Sequence, residues 1–270
     1  MQFYRRLSTI KAISFDLDDT LYNNRPVMLA IENKMLSYFD KLLTNVVNRL
    51  IKPVDRVAEK IVFNRRYWAP YRNAAIHKSP DITHDVVALR YESYRLGLLE
   101  LNFTEVEAQI QAKYALDYFI KLRSDFTVPE ASIKLLAQLS AQFPLVSISN
   151  GNVDTKVLGI EHYFKHIYHA GYQAKHYDEQ HKQQGELLKQ KPKTDMFDKV
   201  CQQLNILPAE LLHVGDCGLA DIHGALKAGC QTAWLPNYGV GKPLKQLPHI
   251  ELKDVCELVQ LLRFNHSNIN

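Results

Sequence analysis

The sequence predicts an α/β fold, with helices on both faces of a parallel sheet and an all-helical block inserted after the first strand. Three observations lead to this fold class. A short apolar segment, 11–15, ends in a run of acidic residues. Helical periodicity then extends from about residue 26 to 125, with no convincing strand. Beyond Pro129, short β-prone runs alternate with helices, which is typical of a parallel sheet with helices on both faces.

Composition and charge limit the possible classes of protein. The 270 residues are 46% hydrophobic and 23% charged, which excludes a disordered or fibrous chain. No apolar run approaches the roughly 20 residues of a membrane-spanning helix, and the first residues lack the apolar stretch of a secretory signal. A net charge of +4 is too mild to indicate nucleic-acid binding. We expect a soluble cytoplasmic protein, monomeric or a weak oligomer, that binds neither nucleic acid nor membranes.

The inserted block has the periodicity of amphipathic helices. Apolar residues recur at steps of three and four over 31–50. Three further segments fit helices: 54–67, 85–99 and 104–121. Thr104 and Glu107 have the spacing of a capping box, which supports a helix start there. We therefore predict a helical cap over 25–125 and an α/β core formed by 1–24 and 126–270.

The remaining sequence supplies the elements of the core. The predicted helices are 130–142, 196–204 and 220–228, and the predicted strands after the first are 145–149, 167–170, 211–214 and 232–235. Two segments carry no steady period. The first, 172–190, is rich in Gln, His and Lys and is predicted to be a mobile surface loop. The second, 264–270, is predicted to be a frayed polar tail.

Acidic residues follow the first predicted strand in the run Asp16-Leu17-Asp18-Asp19-Thr20. Ligands of parallel α/β sheets bind at the carboxyl ends of the strands, and Asp16 and Asp18 can share one side of an extended segment. Crowded carboxylates repel one another unless a cation or strong donors offset the charge. Mg²⁺, which prefers oxygen ligands, would do so. An acidic turn that caps the next helix is the alternative.

Three more polar groups follow later strands or precede a helix. Ser149-Asn150-Gly151 offers a hydroxyl and backbone amides that can hold phosphate oxygens, although an ordinary Asn-Gly turn would look the same. Lys191, fixed by the following proline, could neutralise phosphoryl charge, or it could be a solvated loop lysine. Asp216, with Asp221 five residues later, could complete a metal site with Asp16 or could be a helix N-cap.

The order of these groups resembles the haloacid dehalogenase superfamily, whose motifs read D-x-D-x-T, S/T, K and G-D-x₄-D. That family has a Rossmann-like parallel-sheet core with a helical cap inserted after the first strand. Within it, the sequence is similar to the bacterial YigB-type phosphatases from end to end. The similar segments are Phe3-Tyr4-Arg5-Arg6-Leu7, Tyr22-Asn23-Asn24-Arg25-Pro26-Val27, His84-Asp85-Val86, Ser149-Asn150-Gly151-Asn152, Leu212-His213-Val214-Gly215-Asp216 and Leu247-Pro248-His249-Ile250-Glu251.

This resemblance implies a Mg²⁺-dependent phosphatase that acts through an aspartyl-phosphate intermediate. Asp16 would be the nucleophile and Asp18 the general acid and base. Mg²⁺ would be held by Asp16, by the backbone carbonyl of Asp18 and by Asp216. The implied substrate is a small phosphate ester, above all 5-amino-6-(5-phospho-D-ribitylamino)uracil of riboflavin biosynthesis.

The resemblance also implies roles for the other motif residues. Ser149, the amide of Asn150 and Lys191 would bind the phosphate oxygens. Asp221 would orient Lys191 or the metal's waters, and Thr20 would orient groups of the first loop. The sequence departs from the family in two places. The long segment 172–190 replaces a short turn before the lysine, and Cys217 stands where an Asp is common.

Substrate selection is expected to lie in the cap. The candidate residues there are Arg25, Arg65, Arg66, Tyr67, Trp68, His84, Asp85 and Arg90. A mixture of aromatic and arginine side chains can stack on a ring and bind its polar edges. Packing within the cap is the alternative for the aromatic residues.

Several other functions remain open at this stage. A generalist sugar-phosphate or nucleotide phosphatase would have the same motifs. A dehalogenase of this superfamily would need neither Asp18 nor a metal, whereas a phosphomutase would keep both. A binding or regulatory protein with the same fold would be expected to have lost a catalytic group, and none of the four motif groups is missing.

Overall fold

The computed structural model describes residues 1–50, 61–172 and 186–261, and side chains at 45–50 are left out of the description. The chain divides into two compact units. Unit 1 comprises Met1–Asn24 and Ser124–Asn270, and unit 2 comprises Arg25–Arg123. Residues 54–60 of the predicted helix 54–67, residues 173–185 of the predicted loop 172–190 and the predicted tail 264–270 lie outside the described residues.

In residues 25–50 and 61–123, the described part of unit 2, all regular structure is helical. Its four α-helices are α1 (Asn24–Leu50), α2 (Arg65–Lys78), α3 (Val86–Glu100) and α4 (Glu105–Arg123), with a 3₁₀ turn at Pro80–His84. Their apolar faces meet in one cluster that includes Phe39, Leu98 and Phe119. Ala108, Ala112 and Ala115 are fully buried on α4, and these small side chains allow a close approach of the neighbouring helices.

One of the predicted helices in this unit is wrong in part. Residues 61–64 are not helical, and the Oδ1 atom of Asn64 accepts hydrogen bonds from the backbone amides of Arg66 and Tyr67, at 3.0 and 3.2 Å. Asn64 is therefore the N-cap of α2, which begins where the prediction over 54–67 almost ends. The predicted capping box is confirmed, because the Thr104 amide donates to Glu107 Oε2 at 2.9 Å and the Glu107 amide donates to Thr104 Oγ1 at 3.3 Å.

Unit 1 is built on a sheet of mainly parallel strands. The strands are β1 (Gln2–Phe3), β2 (Ala12–Phe15), β3 (Leu145–Ser149), β4 (His166–His169), β5 (Gly171–Tyr172), β6 (Leu187–Leu188), β7 (Leu211–Gly215), β8 (Gln231–Trp234) and β9 (Ile250–Glu251). Seven of them form one sheet in the order β1-β9-β8-β7-β2-β3-β4, and β5 pairs with β6 separately. All neighbours in the larger sheet are parallel except β1 and β9.

Helices cover both faces of this sheet, which confirms the predicted α/β class. They are α5 (Glu130–Ser140), α6 (Asp195–Leu204) and α7 (Gly224–Lys227), the last preceded by a π-helical turn at Gly218–His223. Alternate strand residues point to opposite faces, so Leu145 joins the cluster under α5 while Val146 joins the cluster under α6. No helix in the described part of the chain is long and apolar enough to cross a membrane.

Candidate active site

The carboxyl ends of β2, β3 and β7 lie side by side, because these strands are parallel neighbours. Asp16 follows β2, Asn150 follows β3 and Asp216 follows β7. The amide of Asp16 donates to the carbonyl of Val214 at 2.9 Å, which continues the β2–β7 pairing as far as the acidic run. The topology thus brings three of the predicted motif groups to one edge of the sheet.

Lys191 supplies the fourth group, and its ammonium is almost fully buried at this edge. The Nζ atom donates to Asp16 Oδ1 at 2.8 Å, to Asp221 Oδ1 at 2.6 Å and to the carbonyl of Ile148 at 2.7 Å. An ammonium has three protons, and each has an acceptor here. The alternative of a solvated loop lysine is therefore wrong.

The backbone of Lys191 is held by the end of β3. The side-chain amide of Asn150 donates to the Lys191 carbonyl at 3.0 Å, and its Oδ1 accepts from the Lys191 amide at 2.8 Å. A Cβ atom at Gly224 would lie 2.9 Å from Cα of Pro192, so the bare glycine lets α7 pack against the residue after the lysine. The side chain of Asn150 is thus occupied by the lysine loop, and its backbone amide remains the predicted phosphate donor.

Asp221 reaches the site from the π-helical turn after β7. Its Oδ1 atom faces Lys191 and also His213 Nε2, at 3.3 Å, while its Oδ2 accepts from the Cys217 amide at 2.8 Å. A Cβ atom at Gly215 would lie 2.3 Å from the carboxyl carbon of Asp221. Glycine at 215 is therefore what allows the carboxylate to fold back over the strand end.

The electrostatics of the buried groups follow from these contacts. Burial raises the pKa of Asp16 well above its usual value; Lys191 opposes this effect, and the carboxylates of Asp221 and Asp18 add to it. Burial disfavours the charged form of Lys191, but Asp16 and Asp221 outweigh it and raise the pKa of the ammonium. Burial also opposes ionisation of Asp221, but Lys191 and His213 outweigh it and lower its pKa. Lys191 and Asp221 are thus a charged pair.

Three carboxylates at this edge form a group that fits a divalent cation. Asp16, Asp216 and Asp221 each offer an oxygen within 4.8 Å of the others. Burial, followed by repulsion from Asp221 and Asp19, raises the pKa of Asp216 to about 7. Lys191 contacts Asp16 and Asp221, and an added hard cation would offset the charge at Asp216. Because all the donors are oxygen atoms, the group suits Mg²⁺.

The rest of the first acidic run is held by local contacts. Tyr22 donates its hydroxyl proton to Asp18 Oδ1 at 2.7 Å, and the Asp19 amide donates to the Tyr22 carbonyl at 2.8 Å. Thr20 is buried, and its hydroxyl has no hydrogen-bond partner among the residues that the structure describes. Ser149 Oγ accepts from the amide of Gly151 at 3.0 Å, which leaves its own proton to be donated.

The cap candidates are all in unit 2, where several have structural contacts. Asp85 is the N-cap of α3, with its Oδ1 accepting from the amides of Val87 and Ala88. The guanidinium of Arg90 lies 3.6 Å from the centre of the Phe119 ring. Of the other candidates, Arg25 and Arg66 are exposed, and Arg65 forms an ion pair with Glu32. His84 is the last residue of the 3₁₀ turn, and Tyr67 and Trp68 pack against the apolar cluster of the unit. Substrate contact by these residues stays a prediction.

Three residues near the site were missed from the sequence. Tyr22 binds Asp18, and Ser14 and His213 form a buried pair behind Asp221. Tyr22 lies only two residues after Thr20, and this closeness to the acidic run could have indicated the contact with Asp18. Ser14 and His213 gave a weaker signal, since each is a single polar residue within an otherwise apolar strand.

Comparisons with known proteins identify the family of this chain. A family model described as haloacid dehalogenase-like hydrolase matches residues 10–229, which is more than half of the chain. A relative from Escherichia coli K12, 5-amino-6-(5-phospho-D-ribitylamino)uracil phosphatase YigB, is 32% identical over 269 residues, covering 97% of this chain and 100% of its own. Identity at this level over whole chains indicates common family membership.

Solved structures share the fold. A 2-haloacid dehalogenase from Pseudomonas syringae pv. Tomato DC3000 has a TM-score of 0.75 at 24% identity, with 95% of this chain and 99% of that chain covered. The HAD-hydrolase YfnB from Bacillus subtilis, solved bound to magnesium, has a TM-score of 0.59 at 18% identity and covers 95% of this chain and 100% of its own. With the family match and the E. coli relative, the conclusion is that this chain belongs to the haloacid dehalogenase-like hydrolase family.

Proposed function

We propose that the protein is a Mg²⁺-dependent phosphomonoester hydrolase that acts through an aspartyl-phosphate intermediate. The observation that carries this proposal is the buried ammonium of Lys191 joined to Asp16 and Asp221, beside the carboxylate of Asp216. Such a site offers one nucleophilic carboxylate, one fixed cation and a place for a second cation. Together they can receive a phosphoryl group, whose charge needs positive partners.

Asp16 and Asp18 carry the bond-making steps in this proposal. A carboxylate oxygen of Asp16 attacks phosphorus, the bond from phosphorus to the ester oxygen breaks, and Asp18 gives its proton to the leaving alkoxide. In the second step, hydrolysis of the aspartyl-phosphate, the Asp18 carboxylate takes a proton from water and the water oxygen attacks phosphorus. The bond between phosphorus and the Asp16 oxygen then breaks. Inorganic phosphate and free Asp16 result. Acid and base help of this kind contributes about 10²–10⁴-fold in rate.

The other motif residues hold the transferring group. The hydroxyl of Ser149 and the amide of Asn150 are two of the proposed donors to the phosphoryl oxygens. Lys191 is the third, and it would bind a phosphoryl oxygen by giving up one of its three present acceptors. Asp16, the carbonyl of Asp18 and Asp216 are the proposed holders of Mg²⁺. When bound, this ion supplies positive charge that reduces repulsion between the nucleophile and the phosphate.

The proposed substrate is 5-amino-6-(5-phospho-D-ribitylamino)uracil, the compound after which the E. coli relative is named. Unit 2 is proposed to be the substrate-selecting cap, and Arg25, His84, Asp85 and Arg90 are the residues proposed to contact the ligand. Asp18 is the feature that favours a phosphatase over a dehalogenase, since the latter chemistry has no alkoxide to protonate. A cytoplasmic location and a monomeric or weakly associated state belong to the same proposal.

The experiment is Mg²⁺-dependent phosphate release from a panel of metabolites. The panel holds the ribitylaminouracil phosphate, flavin mononucleotide, sugar phosphates and pyridoxal phosphate. We expect the uracil compound to have the highest kcat/KM and a chelator to abolish release. Broad and weak activity would support a generalist phosphatase instead. A folded, Mg²⁺-loaded protein that hydrolyses nothing would favour the binding or regulatory alternative.

Asp16→Asn is the matching variant, with Asp19→Asn as its control in the same acidic run. Asn at 16 keeps the shape of the side chain but is a poor nucleophile, so turnover is expected to fall to background. Asn at 19 can still accept the hydrogen bond that Asp19 Oδ1 receives from the Asn24 amide at 2.9 Å. We expect it to retain most of the activity. Activity of Asp16→Asn within tenfold of wild type would contradict the nucleophile assignment.

A further inference from the structure

Two fully buried polar side chains face each other on neighbouring strands of the sheet. Ser14 on β2 and His213 on β7 are register partners, and neither has any exposed surface. Ser14 Oγ is 2.9 Å from His213 Nδ1. Burial of an imidazole and a hydroxyl costs free energy unless both are hydrogen-bonded. Aliphatic residues would fill the same positions without that cost, so the pair calls for an explanation.

The second ring nitrogen of His213 faces the active site. Its Nε2 atom is 3.3 Å from Asp221 Oδ1, the same oxygen that accepts from Lys191. A carboxylate paired with Lys191 can only accept, so Nε2 carries the proton of this contact and donates it to Asp221. The other ring nitrogen, Nδ1, shares a hydrogen bond with the Ser14 hydroxyl. The hydrogen bonds therefore link Ser14 to His213 and His213 to Asp221.

This chain of contacts fixes the direction of the Asp221 carboxylate. His213 and Lys191 donate to its Oδ1, and the Cys217 amide donates to its Oδ2. The donors come from strand β7, from the lysine loop and from the turn after β7, so the carboxylate cannot rotate without losing one of them. The position of the Lys191 ammonium depends on that carboxylate, because Asp221 is one of its three acceptors.

We propose that His213 is a positioning residue, which holds Lys191 against Asp16 by orienting Asp221 between them. The importance of this arrangement for turnover rests on the proposed function. The arrangement itself is a statement about Lys191 that can be tested without any substrate. Ser14 completes the arrangement by fixing the ring of His213 from behind.

Three substitutions at 213 separate the hydrogen bond from packing. In His213→Gln, the side-chain amide can place a donor near the former Nε2 position. In His213→Asn, the shorter amide reaches Ser14 but not Asp221, and in His213→Leu both hydrogen bonds are lost. We expect kcat to fall about 10–100-fold in the Asn and Leu variants, with a smaller change in KM. The Gln variant is expected to remain close to wild type.

Two control variants change other buried side chains of unit 1 and leave the hydrogen bonds of Ser14, His213 and Asp221 in place. Ser147→Ala removes a buried hydroxyl on the neighbouring strand β3 that has no hydrogen-bond partner in the described residues. Phe197→Leu removes the ring that packs edge-on against His213 at a centroid distance of 4.9 Å. We expect both controls to retain turnover. Equal losses in the Gln, Asn and Leu variants and in the controls would overturn the proposal, because packing alone would then explain them.

The second readout is the ¹H–¹⁵N signal of the Lys191 ammonium, identified by its loss in Lys191→Met. We expect the signal to shift or broaden in His213→Asn and His213→Leu and to stay in place in His213→Gln and Ser147→Ala. A signal that does not change in His213→Leu overturns the positioning role, whatever the turnover shows. If the signal responds as expected while wild type releases no phosphate, the positioning of Lys191 stands and the proposed function fails.

Discussion

Lys191 illustrates how a single buried charge organises the site. Its ammonium has lost water and depends on Asp16, Asp221 and the Ile148 carbonyl for all three of its protons. Removing one partner of a buried ion pair leaves the other charge uncompensated, which costs more than the pair contributes. We therefore regard substitutions of Lys191 or Asp221 as poor tests of chemistry alone, since folding will also suffer. Better tests change the groups that support the carboxylates of the site.

Tyr22→Phe is one such test, aimed at Asp18. The hydroxyl of Tyr22 donates to Asp18 Oδ1 at 2.7 Å, while its ring packs against Phe126 with centroids 4.6 Å apart. The substitution keeps the ring and removes the donor, so Asp18 loses one hydrogen bond that orients its carboxylate. We expect kcat to fall by about tenfold in steady-state phosphate release, with little change in thermal stability. Tyr163→Phe, a partly buried tyrosine elsewhere in unit 1, is the control, and an equal effect there would contradict this role for Tyr22.

Gly241→Ala tests the support of Asp216. A Cβ atom at 241 would lie 2.6 Å from Asp216 Oδ2 and 2.8 Å from the Asp216 carbonyl oxygen, so the carboxylate has to move. We expect the dissociation constant for Mg²⁺, measured by calorimetry, to rise about 10–100-fold. Val240→Ala, an exposed neighbour in the same loop, should leave Mg²⁺ binding as in wild type. Unchanged affinity in the Gly241 variant would show that the loop does not constrain Asp216.

At the scale of elements, the strands that end in motif residues were the most predictable. The predicted strand 145–149 coincides with β3, because five apolar or small residues stop at an Asn-Gly turn. In contrast, β1, β5, β6 and β9 have two residues each and were missed. A strand that short has no alternation of its own and is defined by its partner in the fold.

In the candidate site, too, the residues of short sequence motifs were predictable, whereas contacts that depend on strand pairing were not. The order of the acidic, hydroxyl and lysine motifs pointed to Asp16, Lys191 and Asp221, and the structure brings these side chains into contact. The Ser14–His213 pair could not be predicted, since it depends on the register of β2 against β7. The helix start at Asn64 was missed for a different reason: apolar periodicity continued past a residue that acts as a cap.

His249→Asn tests a contact between elements. The Thr232 amide in β8 donates to His249 Nδ1 at 3.2 Å, just before β9. Burial, helped by Arg5, lowers the pKa of His249 below its usual value of about 6.5. Because the unfolded chain then binds a proton more readily, this residue stabilises the fold above the unfolded pKa, and its contribution is lost as the pH falls through the folded pKa.

We therefore expect the free energy of unfolding to fall more in wild type than in His249→Asn when the pH is lowered. Asn can keep the acceptor for the Thr232 amide without titrating. The measurement is urea unfolding of both proteins at pH 7.5 and pH 5.5. Parallel losses of unfolding free energy in the two proteins would show that His249 does not contribute to the acid sensitivity.

At the scale of the whole molecule, metal binding is expected to stabilise the unit that contains the site. Asp16 is far in sequence from Asp216 and Asp221, so the unfolded chain presents no equivalent group of three carboxylates. A ligand that binds only the folded state at 100 times its Kd contributes about 2.7 kcal/mol. Calorimetry should therefore show a higher Tm for unit 1 with Mg²⁺ than with a chelator. In Asp216→Asn we expect the same Tm with Mg²⁺ as with a chelator. A wild-type Tm that does not change with Mg²⁺ would contradict the metal assignment.

The order of strands in the sheet has a consequence for biosynthesis. Strand β2 lies between β3 and β7, yet the chain supplies both neighbours only after the whole of unit 2. Asp16 and its partner Lys191 are 175 residues apart, and Ser14 and His213 are 199 apart. Since a growing polypeptide leaves the ribosome from its N-terminus, Asp16, the proposed nucleophile, emerges early and stays solvated until partners made much later are available. A nascent chain released before β7 is complete would lack Asp216 and Asp221, so premature fragments would have no phosphate-cleaving activity.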